Sequence, residues 1–258
     1  MTLSRDVHLH PADAPDVEAL PLVLVHGYLG GSAQWAELEA GLAGRFRTVA
    51  LDLPGFGTAS RRPAPTSIGG FAEQVIADLD ARGIDRFNLV GHSMGGMIAQ
   101  EVARRITPRI GRLVLYGTGP LGLMPDRFEP IGVSLERLLA DGVAPTARRI
   151  AATWFLHGEA HPAFEAIAAI GAQADPSAAE AALGAMADWD GRAGISGLTM
   201  PSLVVWGDRD RSYRWPQVEQ LWTRLPAASL AVIPGASHAA HVEKPGIFQL
   251  ILEDFLSG

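Results

Sequence analysis

The stretch Phe87-Asn88-Leu89-Val90-Gly91-His92-Ser93-Met94-Gly95-Gly96 constrains this chain more than any other. An apolar run ends abruptly in a Gly-x-Ser-x-Gly turn, and a helix-like stretch with few breakers, Met97 to Ile106, follows at once. A turn that joins strand to helix in so few residues must hold Ser93 at strained, positive φ, with its Oγ clear of the backbone. Gly91 and Gly95 flank it because a Cβ at either place would collide where strand and helix cross. Gly and Ser are common in loops, so the pattern alone says little. Its setting between a buried strand and a helix makes Ser93 a candidate nucleophile.

The same alternation recurs along the chain. Leu22-Val23-Leu24-Val25 is apolar throughout, as in a strand buried on both faces of a parallel sheet. It ends in His26-Gly27-Tyr28-Leu29-Gly30-Gly31, after which Ser32 can cap a helix running to about Ala43. Arg47 to Leu51 reads as the next strand, leading into Asp52-Leu53-Pro54-Gly55-Phe56-Gly57 and then a helix from about Ile68 to Arg82. Further strands are expected at Leu113–Tyr116, Ser202–Trp206 and Leu230–Ile233, with helices near Pro216–Leu225 and Pro245–Leu256. Strands and helices at this spacing predict an α/β fold, a doubly wound and mostly parallel sheet.

Between residues 120 and 197 the alternation stops. Alanine-rich helical stretches replace it, at Leu135–Ala140, Thr146–Leu156, Ala163–Ala172 and Ser177–Trp189. The expected organisation is a core made of residues 1–119 and 198–258, with 120–197 inserted as a helical cap over a pocket. A chain of 258 residues with 48% hydrophobic content is long enough for one such core and a modest insertion. Near the start, Val7-His8-Leu9-His10 can form an edge strand, and its histidines lack the further ligands that a metal site needs. Pro11 to Pro21 reads as an acidic loop.

Composition narrows the chemistry. There are no cysteines, which excludes disulfides, thiolate catalysis and cysteine-ligated metals. The net charge of −7 and the lack of a dense basic stretch argue against nucleic acid. Arg61-Arg62 and Arg148-Arg149 read as solvated surface pairs. No signal-like apolar core opens the sequence and no run reaches membrane-spanning length, so a cytoplasmic protein without a membrane partner is expected. The oligomeric state leaves no trace in the sequence.

In an open parallel sheet, functional residues gather beyond the carboxyl ends of the strands. Here those ends carry His26-Gly27-Tyr28, Ser93, Gly207-Asp208-Arg209-Asp210 and Gly235-Ala236-Ser237-His238. A serine hydroxyl needs a neighbouring base, and a histidine, whose ordinary pKa is roughly 6.5, suits that task. A buried carboxylate then fixes the imidazole tautomer. The chain order Ser, Asp, His across successive strand ends fits Ser93, Asp210 and His238. Asp208 and His241 are neighbouring alternatives.

The motifs HGYLGG, DLPGFG, GHSMGG, WGDRD and SHAAHVEKP stand in an order that resembles the α/β-hydrolase superfamily over nearly the whole chain. The resemblance implies a cofactor-free serine hydrolase with catalytic residues Ser93, Asp210 and His238. It places the acid at Asp210 rather than Asp208, and the base at His238 rather than His241. It also implies an oxyanion hole of the backbone N–H groups of Tyr28 and Met94. His26 and Asp52 would then be structural.

The stretch from Gly91 to Met97 is further similar to enol-lactonases and carboxylesterases, which implies a small ester or lactone as substrate. Haloalkane dehalogenases are excluded, since they need Asp where Ser93 stands. Carbon–carbon hydrolases commonly carry Trp after the catalytic His and Asn before the Ser, where this chain has Ala239 and His92. The menaquinone-pathway synthase resembles this chain at HGYLGG and HAAHVEKP but usually has Arg where Met97 stands, and it remains the runner-up among enzymes. A non-catalytic small-molecule receptor is the rival from another class, because fold does not set function. Met124, Trp154, Phe155, Met186 and Trp189 are candidate pocket residues, suggesting a mainly apolar cavity that favours neutral substrates over polycarboxylates. Arg127 and Arg148 could bind a substrate carboxylate, but surface placement is the expected reading.

Overall fold

A computed structural model describes residues 20–124 and 126–258. The predicted strand at Val7–His10 and most of the loop after it lie outside the described residues. Six strands form one sheet among them: β1 (Leu22–Val25), β2 (Thr48–Leu51), β3 (Phe87–His92), β4 (Ile110–Tyr116), β5 (Ser202–Gly207) and β6 (Ala228–Ile233). Their order is β2-β1-β3-β4-β5-β6, and every pairing is parallel.

The continuous apolar runs are explained by two cores, one on each face of the sheet. Alternate side chains of a strand point to opposite faces. Leu22 and Leu24 of β1 therefore join Val90, Val114 and Val205 on one side, beneath α1 (Ala36–Leu42) and α10 (Pro245–Ser257). Val23, Val25, Leu89, Leu113 and Leu115 face the other side, covered by α2 (Ile68–Ala81), α3 (Met94–Arg105) and α8 (Trp215–Arg224). Strands β1 and β3 are buried from end to end because both sets are used.

Local signals set some element ends. Ser67 caps α2, its Oγ accepting the Gly70 N–H at 3.0 Å. Asp175 caps α7 (Pro176–Ala187), with Pro176 in the first turn where no N–H is needed. Ser32 departs from its expected role. Residues Ser32–Trp35 form a tighter 3-10 turn before α1, and the Ser32 N–H donates to Asp52 Oδ1 at 2.6 Å. The acceptor comes from the loop after β2, twenty residues on, where no local pattern reveals it.

Between β4 and β5 stand α4 (Ile131–Asp141), α5 (Val143–Trp154), α6 (Phe164–Gly171) and α7. The two ends of this excursion are pinned together. Gly122 N–H donates to Trp189 O at 3.0 Å, and Gly191 N–H to Pro120 O at 2.9 Å. The helices do not build a separate core: Ile150, Trp154, Phe164, Leu183 and Met186 belong to the same apolar cluster as the upper face of the sheet. Among the described residues, no helix is long and apolar enough to cross a membrane.

Candidate active site

Ser93 occupies the turn between β3 and α3 at φ 57° and ψ −121°, a conformation that costs an L-residue about 1–3 kcal/mol. Bonds on both sides hold it there. Its N–H donates to Tyr116 O at 3.0 Å, and its carbonyl accepts Thr118 Oγ1 at 2.8 Å. The flanking glycines leave no space for a side chain. A Cβ on Gly91 would meet the Gly95 carbonyl, and one on Gly95 would meet the carbonyls of Val25 and His26. The first turn of α3 is thus wedged against the end of β1. Gly27 sits equally close: a Cβ there would lie 2.8 Å from Ser93 Cβ.

Asp210 follows β5 and is buried. Its Oδ1 accepts the N–H groups of Ser212 at 2.7 Å and Tyr213 at 3.1 Å, while Oδ2 lies 2.8 Å from His238 Nδ1. Asp208 is engaged elsewhere, its Oδ1 accepting the Gly235 N–H at 2.7 Å. The carboxylate therefore places the proton on His238 Nδ1 and leaves Nε2 with its lone pair. Rings box in the imidazole. Tyr213 stacks on it at 5.7 Å and 13°, Trp154 meets it edge-on at 5.5 Å, and His92 lies 4.6 Å away.

The backbone of His238 is held as firmly as its ring. Its carbonyl accepts the Tyr116 hydroxyl at 2.7 Å and His92 Nε2 at 3.1 Å. Gln34 Nε2 donates to His92 Nδ1 at 3.2 Å, which fixes His92 as the tautomer that can make the second bond. Glu243, of the Glu-x-Pro motif, accepts the N–H groups of Ser237 and Leu156, and Ala239 N–H donates to Trp154 O at 2.9 Å. The loop carrying His238 is thereby tied to the end of α5. His241 lies apart from this arrangement, against Trp35 at 4.7 Å and with Nδ1 3.1 Å from the Tyr116 hydroxyl.

Three other histidines are buried and held neutral. Burial lowers His26 to about 4, against a partial offset from its bond to the Gly27 carbonyl. It lowers His241 to about 3, and His92 well below its ordinary value. His26 Nδ1 lies 2.8 Å from Gly27 O and its Nε2 accepts the Leu53 N–H at 3.0 Å, so the ring braces the loop after β1 against the loop after β2. Asp52 completes that brace. Burial works against its charge, yet hydrogen bonds from Ser32 and Thr58 outweigh it and hold the carboxyl below its usual value. Histidines depressed in the folded state bind protons more readily when unfolded. Their stabilisation is complete above about pH 6.5 and is lost as pH falls towards 4. For His26 alone the full loss is on the order of 3 kcal/mol. Urea midpoints measured from pH 7 to 4 should fall steeply across that window, and a flat profile would contradict neutral buried histidines.

Ser93 and His238 open onto one cavity, which also receives the predicted residues Met124, Trp154 and Met186. Tyr28 reaches it as well. Met94 is the first residue of α3, so its N–H lacks an intrahelical partner. The Tyr28 N–H likewise has no hydrogen-bond acceptor among the described residues. Phe155 and Trp189 lie elsewhere: Phe155 is buried and stacked on His161 at 4.4 Å, and Trp189 Nε1 donates to Glu101 Oε1 at 3.3 Å beside a separate hollow. Met97 is buried in the core and does not line the cavity.

Five lining residues are not among the pocket candidates named from the sequence: Arg127, Phe128, Ile150, Ser212 and Tyr213. Tyr213 stands three residues after Asp210, and that spacing is the signal that could have found it. Its buried hydroxyl faces Ser93 and Thr118 without forming a well-aligned hydrogen bond, and burial raises its pKa. Arg127 corrects an expectation. It is half-buried on the cavity wall, not at the open surface, because Glu129 O and Ser134 Oγ accept from its Nη1 at 2.7 and 2.9 Å. Arg148 is exposed as expected, paired with Glu159 and Glu165. Among the described residues, no group of three or more His, Asp and Glu side chains is arranged to hold a metal ion.

Known proteins resemble this chain along nearly all of its length. It is 30% identical over 253 residues to a pimeloyl-[acyl-carrier protein] methyl ester esterase of Aromatoleum aromaticum, covering 92% of this chain and 98% of that protein. Its fold is similar to that of the enol-lactonase from Burkholderia xenovorans LB400, with 24% identity, a TM-score of 0.84, and 93% of this chain and 92% of that one covered. It is also similar to a thermophilic esterase from Thermogutta terrifontis, at 27% identity and a TM-score of 0.82, covering 92% of this chain and 89% of the other. The family model described as the alpha/beta hydrolase fold matches residues 21–245, and the chain belongs to that family.

Proposed function

We propose that this protein hydrolyses a small carboxylic ester or lactone through an acyl-enzyme on Ser93, with His238 as base and Asp210 as the acid that orients it. An ester-acting enzyme is the reading that the family and its named esterase relatives support. The observation that carries the finer reading is the buried His238–Asp210 pair, 2.8 Å apart, whose histidine lines a single cavity with Ser93.

In this mechanism Ser93 Oγ attacks the ester carbonyl as His238 Nε2 takes the hydroxyl proton. The negative charge that forms on the carbonyl oxygen is met by the N–H groups of Met94 and Tyr28, which are in place before the reaction and need not reorganise. His238 then returns the proton to the departing alkoxide, and the acyl group stays on Ser93. Water, deprotonated by the same nitrogen, attacks the acyl carbon, releasing the acid and restoring the serine. Asp210 remains ionised throughout and stabilises the imidazolium.

An active-site-directed fluorophosphonate separates this enzyme from a non-catalytic receptor on the same fold. The expected result is one label per chain, on Ser93, together with turnover of at least one member of a panel of p-nitrophenyl esters and lactones. Folded protein that takes up no label and turns over no ester would be a binding protein instead.

A further inference from the structure

The cavity at Ser93 is small. Its volume is about 20 Å³, room for roughly one water molecule and for no ester. A wider hollow of about 330 Å³ lies beside it, lined by Leu123, Met124, Asp126, Arg127, Pro130 and Ile131. Met124 and Arg127 belong to both. A substrate with its carbonyl at Ser93 must therefore run past these two long, flexible side chains and reach the outer hollow.

The charge at that junction is unbalanced. Glu129 is the carboxylate of this corner, and it accepts from Ser134 and Arg149 and lies 3.3 Å from Arg137. Arg127 leans on the same segment through the Glu129 carbonyl at 2.7 Å. Arg137 and Arg149 share the half-buried Glu129 carboxylate while Arg127 bonds only the Glu129 carbonyl and Ser134 Oγ, and counting exposed Asp126 at the rim still leaves three guanidinium groups to two carboxylates. Several donors here have nothing to donate to. The Nε and Nη2 of Arg149 and the hydroxyl of Tyr28 are buried without partners. Arg127 bonds through Nη1 alone among the described residues. Leaving a buried donor orphaned is unfavourable, more so when it is charged. Electrostatics link the group: Tyr28 senses both Arg127 and Arg149, and burial holds Arg127 below its ordinary pKa. Arg127 and Tyr28 have no anionic acceptor among the described residues, and Arg149 has one through Nη1 alone.

We propose that this corner is an anion subsite, in which Arg127, with Arg149 and Tyr28 behind it, holds a carboxylate at the end of the substrate remote from the scissile bond. The substrate class is then the monoester of a dicarboxylic acid, or a lactone bearing a carboxylate side chain. The apolar wall of Met124, Phe128, Ile150, Trp154 and Met186 takes the methylene chain between the two ends. The apolar cavity expected from the sequence thus describes the middle of the substrate and not its terminus. The inference rests on the ester-hydrolase reading for its orientation, with the ester at Ser93 and the acid at Arg127.

Two measurements test the subsite and keep it separate from that reading. The first compares kcat/KM for monomethyl adipate and methyl hexanoate, which differ mainly in a terminal carboxylate against a methyl group. The wild-type protein should favour monomethyl adipate by about tenfold or more, and Arg127→Met should reduce that ratio at least tenfold, with Arg127→Lys keeping part of it. The second titrates adipate by calorimetry into the Ser93→Ala protein, where binding should weaken at least tenfold on adding Arg127→Met or Arg149→Met. Both arginine variants are checked for folding by circular dichroism, and the wild-type ratio stands without either. Equal or faster turnover of methyl hexanoate by the wild type, or adipate binding that is absent or indifferent to both arginines, overturns the subsite. Adipate binding that depends on Arg127, with no ester turned over by the wild type, supports the subsite and overturns the hydrolase reading.

Discussion

Replacing Ser93 with alanine is expected to leave the protein folded while ester hydrolysis falls by roughly 10⁴-fold or more. The size of the effect follows from what the side chain alone provides. Alanine keeps the backbone bonds that hold the turn, from Ser93 N–H to Tyr116 O and from Thr118 Oγ1 to Ser93 O, since neither uses the serine hydroxyl. Alanine also meets the positive φ of 57° at no greater cost than serine. What disappears is the only atom that can form the acyl-enzyme. The proposed oxyanion donors and the cavity remain, so residual catalysis over the uncatalysed rate is expected. Circular dichroism and the thermal midpoint check the fold, and steady-state rates check the chemistry. A folded variant with near wild-type turnover on every active ester would refute a Ser93 nucleophile.

The second large effect separates two histidines three residues apart. His238→Ala is expected to cost roughly 10⁴-fold in kcat/KM, whereas His241→Ala should keep activity within about tenfold of wild type. His238 holds the bond to Asp210 and faces the cavity with Ser93, and no other described imidazole does either. His241 packs among Trp35, Tyr116 and Phe248. Its loss opens a cavity in a buried aromatic cluster and frees the Tyr116 hydroxyl from one neighbour, so the expected damage is to stability, on the order of 2–4 kcal/mol. Denaturant unfolding and kinetics on the same two variants read both quantities. If activity vanished only in the His241 variant, the assignment of the base would be reversed.

Much of the candidate site was legible because it is encoded locally. The Gly-x-Ser-x-Gly turn must be tight wherever it occurs between strand and helix, so Ser93 could be singled out before any contact was known. Asp210 and His238 follow apolar runs, and parallel strands bring such ends to one edge of a sheet. Their order along the chain thus carried spatial meaning. The choice between Asp210 and Asp208, in contrast, came from family resemblance, and coordinates supply its reason. Asp208 is occupied by the Gly235 N–H, and Asp210 alone reaches an imidazole.

The sequence by itself determined the sheet, the strained serine turn and the residue types available at the strand ends, because each depends on periodicity or on backbone conformation within a few residues. Only the tertiary structure decided which side chains share the cavity. Helical periodicity marks Trp154, Phe155 and Trp189 alike as buried aromatics, yet Trp154 faces His238, Phe155 meets His161 and Trp189 bonds to Glu101. Adjacent Arg148 and Arg149 read as one surface pair. Successive helical residues point about 100° apart, so one meets Glu159 and Glu165 in solvent while the other turns inward to Glu129. Arg127 is the clearest case. Its place on the cavity wall depends on the Glu129 carbonyl two residues on and on the Ser134 hydroxyl, which comes into reach once α4 has packed. Desolvating a guanidinium is unfavourable unless partners are in position, and those partners come together only in the assembled fold.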